Sequence, residues 1–350
     1  MTLAKDFAEL GSRIRLVRLA SGLSQQDLAA ELGVDRTAIS RIETGERRIN
    51  AVELLRLAAR MKVTLADLIE LPSPDVVAAR HGLEEESAGS EQSRSRAEIQ
   101  LDRALRDAEQ LRALGVLAAV RSSLGGAGLE SPEQAAQLAQ QARQAIGNID
   151  GPLGPIADVA AEFGLWCRTT TEKIDGLSLT PEPGFGVALV GEGLEPGRRR
   201  ATVAHELGHH LCGDTYETAS HYAAPRETER LIDVFAGEFL LPSGAVRSRL
   251  SSDPSREGLV KVAADFRVSW TLLLHACARA QVPVVKDIAA LTPVRQDFLS
   301  AVGAEPAPDL VAPGLPRQWV KACAQAVTKG MITPRRASEL SLGEIDRDAA

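Results

Sequence analysis

The sequence has few aromatic residues and few cysteines. Aromatic side chains make up only 3% of the 350 residues, so a core large enough for two or more domains must rest on Leu, Ala and Val. The four cysteines form no Cys-x-x-Cys pair, which argues against a disulfide scaffold and a cysteine-ligated zinc site and favours reduced thiols. They are Cys167, Cys212, Cys277 and Cys323.

Long apolar runs and an excess of positive charge are also missing. No window approaches the roughly 20 apolar residues of a membrane span, and the first residues lack the apolar run and cleavage site of a secretory signal. The net charge of -7 argues against a surface made for non-specific binding to nucleic acid or membrane, while it still permits a local DNA-reading surface. We therefore expect a cytoplasmic protein without a membrane partner.

The sequence does contain an HExxH motif. His205 and His209 are four residues apart, so both imidazoles leave the same face of a helix about one turn apart. Glu206 lies beside that face, where it can hold a metal-bound water and accept its proton, whereas a structural zinc site needs no base. The pattern predicts hydrolytic zinc rather than two solvated histidines. An apolar stripe that would bury this helix consists of Ala204, Leu207 and Leu211.

Zinc requires a third protein ligand, and an acidic segment downstream supplies candidates. This segment is predicted to be a second helix, which Pro242 ends. Glu229 and Asp233 lie four residues apart, so one can bind the metal while the other accepts a hydrogen bond from a ligating imidazole. Glu227 and Glu238 remain alternative ligands.

Together the two segments resemble the ImmA/IrrE family of zinc metallopeptidases, in which HExxH precedes a helix of the form E-x-x-A-N-x-F-A-x-x-L-L-x-P. The matching positions are Glu229, Phe235, Ala236, Leu240, Leu241 and Pro242. The resemblance selects Glu229 as the third ligand, which implies one zinc ion per chain on His205, His209 and Glu229, with Glu206 as the catalytic base.

Two positions depart from the family pattern. Asp233 replaces the usual Asn, and the change resembles the E-x-x-x-D of gluzincin peptidases, so the role of hydrogen-bond partner to a histidine ligand is retained. Ile232 replaces the usual Ala, which puts only the local packing of the helix in doubt.

The segment before HExxH resembles the small sheet of the same family. Strands are predicted at 165–168 and 186–190, with a turn at 175–178 between them. In zinc peptidases an edge strand of such a sheet can pair with an extended substrate through backbone hydrogen bonds. His221 is the candidate oxyanion donor, with His210 and Tyr222 as the other side chains near the site, and a surface histidine is the simpler interpretation.

The N-terminal part predicts a helix-turn-helix. Ser24 is suited to cap one short helix, Gly33 ends it, and a second short helix follows from Asp35 to the break at Gly45. This unit resembles the XRE (Cro/C1-type) repressor family along its whole length. The matches include Ser24, Gln25, Leu28, Ala29, Leu32, Gly33, Val34, Gly45 and the run from Ile39 to Glu43.

In that family the second helix of the motif enters the major groove, which implies a set of outward side chains that meet bases and phosphates. They are Arg36, Thr37, Ser40 and Arg41, with Gln25 near the DNA backbone. Residues 24–48 hold four arginines and five acids, so we expect modest, salt-sensitive affinity from a monomer, which a homodimer would raise. The alternative is a helical bundle that binds protein.

The predicted fold is mainly α with a small β-sheet, formed by an all-α helix-turn-helix domain and an α+β zincin-like domain of the gluzincin type. The predicted division is a helix-turn-helix domain at 8–70, a flexible linker at 71–96, a helical connector at 97–147 interpreted as a hairpin, a metallopeptidase domain at 150–285 and a helical C-terminal tail at 286–350.

These resemblances imply a transcriptional regulator with two functions. One unit would bind a double-stranded DNA operator, and the other would be an endopeptidase that cleaves a protein, an XRE-type repressor. One alternative is a transcription factor whose zincin-like domain only senses a signal or dimerises. Another is a component of a toxin–antitoxin pair.

Overall fold

The structure is a computed structural model that describes residues 2–71, 77–80, 88–117, 128–213, 226–250 and 254–346. Within these ranges the chain is mainly helical and contains a two-stranded and a four-stranded sheet, which confirms the predicted fold class. None of the described helices is long and apolar enough to cross a membrane.

The elements follow one another along the chain as helices with a few short strands between them. The strands are β1 (Thr2–Leu3), β2 (Glu70–Leu71), β3 (Val77–Arg80), β4 (Leu165–Thr170), β5 (Gly176–Glu182) and β6 (Phe185–Gly191). The helices are α1 (Phe7–Ala20), α2 (Gln25–Leu32), α3 (Arg36–Glu43), α4 (Ala51–Met61), α5 (Leu65–Ile69), α6 (Ala88–Ala113), α7 (Pro132–Ala145), α8 (Ile156–Ala161), α9 (Pro196–Cys212), α10 (Arg226–Leu240), α11 (Ser243–Leu250), α12 (Arg256–Phe266), α13 (Trp270–Arg279), α14 (Lys286–Ala289), α15 (Arg295–Val302), α16 (Arg317–Thr328) and α17 (Pro334–Leu340).

The N-terminal unit packs α1 to α5 around one apolar core. The side chain of Ser24 accepts a hydrogen bond from the backbone of Asp27, whose carboxylate in turn accepts one from the Ser24 amide, so α2 begins with a reciprocal cap. Gly33 ends α2 in the left-handed conformation (φ 71°), and Asp35 caps α3. The core contains Ile14, Val17, Leu28, Ile39, Ile42 and Leu57, each at most 1% exposed.

The connection between the two units differs from the prediction. Helix α6 begins at Ala88, inside the predicted linker, and it contacts both α1 and the sheet. Helix α7 packs instead on α10, so the predicted hairpin of α6 and α7 is wrong. The physical reason is that the two apolar stripes belong to different cores: Leu101 and Leu105 of α6 lie in the core that contains Trp166, whereas Leu138 of α7 lies in the core that contains Phe239.

The four-stranded sheet has the order β3-β5-β6-β4. Strands β4 and β6 are parallel, while β5 runs antiparallel to both of its neighbours. The turn predicted at 175–178 is wrong, because Gly176 begins β5. Asp-Gly is a turn-forming pair, but here glycine is needed for close packing: a Cβ at Gly176 would lie 2.5 Å from Thr202 Cγ2 and 2.6 Å from Glu206 Oε1.

The sheet lies between two helical layers. Trp166, Leu177 and Leu189 point to the layer that contains α6 and α16. Cys167 and Ala188, on alternate positions of the same strands, point to the larger core around α8, α9 and α10. Helix α9, which carries the HExxH motif, is therefore held directly against the sheet.

Candidate metal centre

Helix α9 carries three histidines and a glutamate in the protein interior. Pro196 occupies its first turn, and Gly213 ends it in the left-handed conformation (φ 64°). The exposed fractions of His205, Glu206, His209 and His210 are 1%, 0%, 4% and 3%. Buried polar groups of this kind cost free energy unless they are paired. The contacts of each one therefore indicate its role.

A glycine allows α10 to approach α9 closely. A Cβ at Gly208 would lie 2.9 Å from Phe235 Cδ1 and 3.0 Å from Ile232 Cγ2. Ile232, where the ImmA/IrrE pattern has Ala, is fully buried at this contact. The close approach brings the first turns of α10 next to the histidines of α9.

Three side chains converge at this contact. Nε2 of His205 lies 3.1 Å from Nε2 of His209 and 3.1 Å from Oε2 of Glu229, and His209 Nε2 lies 3.5 Å from Glu229 Oε1. Ligand atoms about 2.0–2.1 Å from a tetrahedral zinc ion are separated by about 3.3 Å, so these spacings fit one ion. The described residues contain this one His/Cys/Asp/Glu group with metal-binding spacing.

The two alternative carboxylates of α10 are engaged elsewhere. The Glu227 side chain is 72% exposed and lies 3.9 Å from Arg230. The Glu238 carboxylate accepts hydrogen bonds of 2.8 and 2.7 Å from the backbone and hydroxyl of Ser243. Of the candidate ligands on α10, Glu229 is the one in the cluster. Its buried position acts to raise its pKa, but the adjacent side chains of His205 and His209 together lower the pKa below its usual value.

Asp233, one turn after Glu229, contacts the first histidine. Its Oδ1 lies 3.0 Å from Nδ1 of His205. A carboxylate at this position accepts a hydrogen bond from Nδ1–H, which leaves the lone pair on Nε2, the nitrogen that faces Glu229. The four-residue spacing on α10 predicted that either Glu229 or Asp233 would accept a hydrogen bond from a ligating imidazole, and the family resemblance gave this role to Asp233.

Glu206 lies on the sheet side of the cluster. Ser178 Oγ of β5 donates a 2.5 Å hydrogen bond to Glu206 Oε2, while Oε1 is buried and has no hydrogen-bond partner among the described residues. Burial raises the pKa of Glu206, although His205, His209 and the Ser178 hydroxyl act in the opposite direction. An oriented carboxylate with an unengaged oxygen and a raised pKa is suited to accept a proton from a water molecule.

Ser178 was missed by the sequence analysis, which placed it in a turn. Its contact with Glu206 exists only because β5 packs on α9, so no local pattern marks it. His210 is a second example: Thr180 and the Phe163 carbonyl lie 2.9 Å from its Nδ1 and Nε2. Burial lowers the pKa of His210 to about 4, so it is a neutral link between α9 and the sheet. The candidate oxyanion donor His221, with Tyr222, lies outside the described residues.

The predicted DNA-contacting residues lie on and beside α3. Arg36, Thr37 and Arg41 are exposed, and Ser40 is half-buried. Gln25 joins α2 to α3, because its amide donates to Glu43 (2.9 Å) and its carbonyl accepts from Arg36 (3.2 Å).

The buried carboxylate of Glu43 in turn accepts hydrogen bonds from two nitrogens of Arg18, at 2.5 and 3.1 Å. Charge-assisted, paired hydrogen bonds of this kind have a fixed geometry. The relative position of the two helices of the motif is thus set by a polar network that includes a predicted contact residue, Gln25.

The fold and these two sites define a class of protein: a helix-turn-helix unit joined to an α+β unit that carries a candidate metal centre. Comparison with known families agrees with this class, since residues 14–68 match the family model for a helix-turn-helix and residues 162–278 match the IrrE N-terminal-like domain. Residues 14–68 thus form an XRE-type helix-turn-helix region, and residues 162–278 of the same chain form an IrrE/ImmA-like domain.

One curated relative is similar to a short part of the chain. It is the control protein C.MunI of Mycoplasma sp, which is 36% identical over 59 residues, 17% of this chain and 80% of that protein. The likeness covers 59 residues and supports no statement about the rest of the chain.

Proposed function

We propose that this protein is a transcriptional regulator whose C-terminal unit is a zinc-dependent endopeptidase that cleaves a repressor-type protein. The observation that carries the proposal is the convergence of three side chains, His205, His209 and Glu229. Each offers one possible ligand atom, and these atoms all lie within 4.8 Å of one another. These three residues would hold one zinc ion per chain. A purely structural site would not need a buried carboxylate such as Glu206 beside it.

The chain's own groups would divide the work of peptide hydrolysis. Zinc, when bound, supplies Lewis acidity that polarises a carbonyl and lowers the pKa of a bound water toward about 7. Glu206 Oε1 would accept the proton of that water and release it to the departing amine. Ser178 would keep the carboxylate in place by donating to Oε2 (2.5 Å). Asp233 would hold the His205 ring with Nε2 toward the ion.

The substrate proposal rests on the N-terminal unit to which the peptidase-like unit is joined. The N-terminal unit matches a helix-turn-helix family model and resembles XRE-type repressors, and its exposed residues Arg36, Thr37 and Arg41 suit contact with a double-stranded DNA operator. Binding at an operator would place the peptidase beside other repressors of the same type. A homodimer would contact two half-sites and raise the modest affinity of one unit.

The test is a cleavage assay with the full chain. The purified protein, loaded with zinc, is mixed with candidate XRE-type repressors and a fluorescent operator duplex, with and without EDTA. The expected result is a discrete cleavage product that EDTA and the Glu206→Gln substitution both abolish. Full zinc occupancy without cleavage of any repressor would favour the sensor interpretation of the C-terminal unit.

A further inference from the structure

The edge of the sheet nearest to Glu206 is covered by a short strand from this same chain. Strand β3 pairs antiparallel with β5, with Val77 opposite Leu179, Ala78 opposite Ser178 and Arg80 opposite Gly176. In the described part of the chain β3 is the outermost strand, so without it β5 would be the open edge of the sheet.

This edge lies directly beside the proposed catalytic carboxylate. Ser178 Oγ is hydrogen-bonded to Glu206 Oε2 at 2.5 Å. A Cβ added at Gly176 would lie 2.6 Å from Glu206 Oε1. The residues of β5 that β3 covers are thus the residues that touch Glu206. A chain paired with β5 at Gly176–Ser178 runs alongside the group that would activate water.

The length of β3 matches the regularly paired stretch of β5, which indicates a binding site for a peptide. The pairing of β5 with β6 is regular from Gly176 to Leu179 and becomes irregular between Leu179 and Glu182. The four residues of β3 cover the same regular stretch. Four extended residues span about 13 Å, enough for the residues on either side of a peptide bond. Strand addition at a sheet edge depends on backbone hydrogen bonds and accepts many side chains.

We propose that residues 77–80 occupy the substrate-binding edge of the peptidase unit and compete with an external protein chain for it. This inference rests on the proposed function, and it adds a means of regulation. Strand β3 follows the N-terminal unit closely, since β2 ends at Leu71. A short tether gives a local concentration of order millimolar, which reduces the apparent affinity of a competing peptide. An external substrate must therefore displace β3. A change in the N-terminal unit can alter how tightly β3 is held, and so how readily the substrate displaces it.

The experiment measures binding without cleavage. In full-length, zinc-loaded Glu206→Gln protein, the double substitution Ala78→Pro and Ala79→Pro removes two consecutive backbone donors. Because successive amides of a strand point to opposite sides, at least one of them faces β5. The matched control, Ala78→Ser with Ala79→Ser, keeps both donors. The probe is a fluorescein-labelled peptide with the sequence of residues 74–83, and its binding is followed by fluorescence polarisation.

The proline variant is expected to bind this peptide about tenfold or more tightly than the Glu206→Gln parent, while the serine control matches the parent. Without peptide, the amides of residues 177–179 should exchange with deuterium faster in the proline variant alone, and added peptide should restore their protection.

Equal peptide affinity in the three proteins, or no binding to any of them with unchanged thermal midpoints, overturns the competition. Both readouts, polarisation and deuterium exchange, are independent of turnover. A wild-type chain that cleaves no repressor would count against the proposed peptidase and would leave the binding result standing.

Discussion

Asp233 Oδ1 lies 3.0 Å from Nδ1 of His205, so the opposite nitrogen of the ring faces Glu229 and His209. This relationship links the two helices of the site, since His205 belongs to α9 and Asp233 to α10. It also gives the imidazole a defined tautomer, which a metal ligand requires.

Replacing Asp233 tests this orientation. Asp233→Ala should weaken zinc binding by about 10- to 100-fold, because the His205 ring loses the acceptor that aligns it. Asp233→Asn should retain most of the affinity, since an amide oxygen can still accept from Nδ1–H. Zinc competition titrations would measure both variants. Equal losses for Ala and Asn would show that the charge of Asp233, rather than its hydrogen bond, is what matters.

The third ligand is tested by two glutamates of the same helix. Glu229→Gln should lower zinc affinity by about a hundredfold or more, which is about 2.7 kcal/mol, because a neutral amide is a weak zinc ligand. Glu227→Gln removes the same charge from an exposed position and should leave the affinity unchanged. Isothermal titration with zinc would separate them, and a loss of binding in the Glu227 variant would contradict the assignment.

The base is tested by separating metal binding from turnover. Glu206→Gln should keep about one zinc ion per chain and lower the cleavage rate by about 10²- to 10⁴-fold, because the amide cannot accept the proton. Metal content by atomic absorption and single-turnover cleavage of a sensitive repressor provide the two readouts. Cleavage by this variant at the wild-type rate would remove Glu206 from the mechanism.

A buried carboxylate joins the N-terminal unit to α6. Asp67 is 0% exposed, accepts a 2.6 Å hydrogen bond from Arg103 and contacts Arg106, while its backbone carbonyl accepts from Arg13 (2.8 Å). Asp67→Asn should lower the free energy of unfolding by about 3 kcal/mol, because the arginines lose their anionic partner. Asp287→Asn, at an exposed position on α14, should change it by less than about 0.5 kcal/mol. Urea unfolding would measure both.

The same residue predicts a pH dependence. Burial acts to raise the pKa of Asp67, but Arg103 and the Thr64 hydrogen bonds lower it below its ordinary value. A carboxyl whose pKa is lower in the folded state stabilises the fold above its unfolded pKa of about 3.9, and this contribution is lost as the pH falls through the folded pKa. The stability gap between wild type and Asp67→Asn should therefore narrow below about pH 4. A constant gap from about pH 7 to about pH 3 would contradict this linkage.

The DNA-binding prediction concerns α3. Arg36→Ala and Arg41→Ala should each weaken operator binding. An arginine that contacts a base should cost about 1–3 kcal/mol of binding free energy when it is removed. Removing an arginine that contacts a phosphate should reduce the slope of log K against log salt concentration by about one. Arg15→Ala removes an exposed arginine of α1 and serves as the control. Polarisation titrations with operator DNA at several salt concentrations would measure these effects. Unchanged binding in both α3 variants would favour a protein-binding bundle.

The spacing of residues on a helix and the residues that cap helices were enough to predict several local features of the fold. The four-residue spacing of His205 and His209 places both on one face of α9, and Ser24, Gly33 and Asp35 set the ends of the two short helices. These outcomes depend on backbone geometry within one or two turns, which neighbouring residues determine. Selecting Glu229 over Glu227 additionally needed the family resemblance.

The sequence by itself therefore determined the two short helices of the N-terminal unit with their caps, and the helical face that His205 and His209 share. Only the tertiary structure decided which distant segments meet: Ser178 with Glu206, Gly208 with Ile232, and β3 with the edge of β5. Asp175–Ser178 has the composition of a turn, yet strand pairing and packing on α9 make its last three residues a strand. The reason is that strand pairing and helix contacts gain their free energy from contacts between segments far apart in the chain. A local sequence pattern does not identify the distant segment with which a strand or helix will pair.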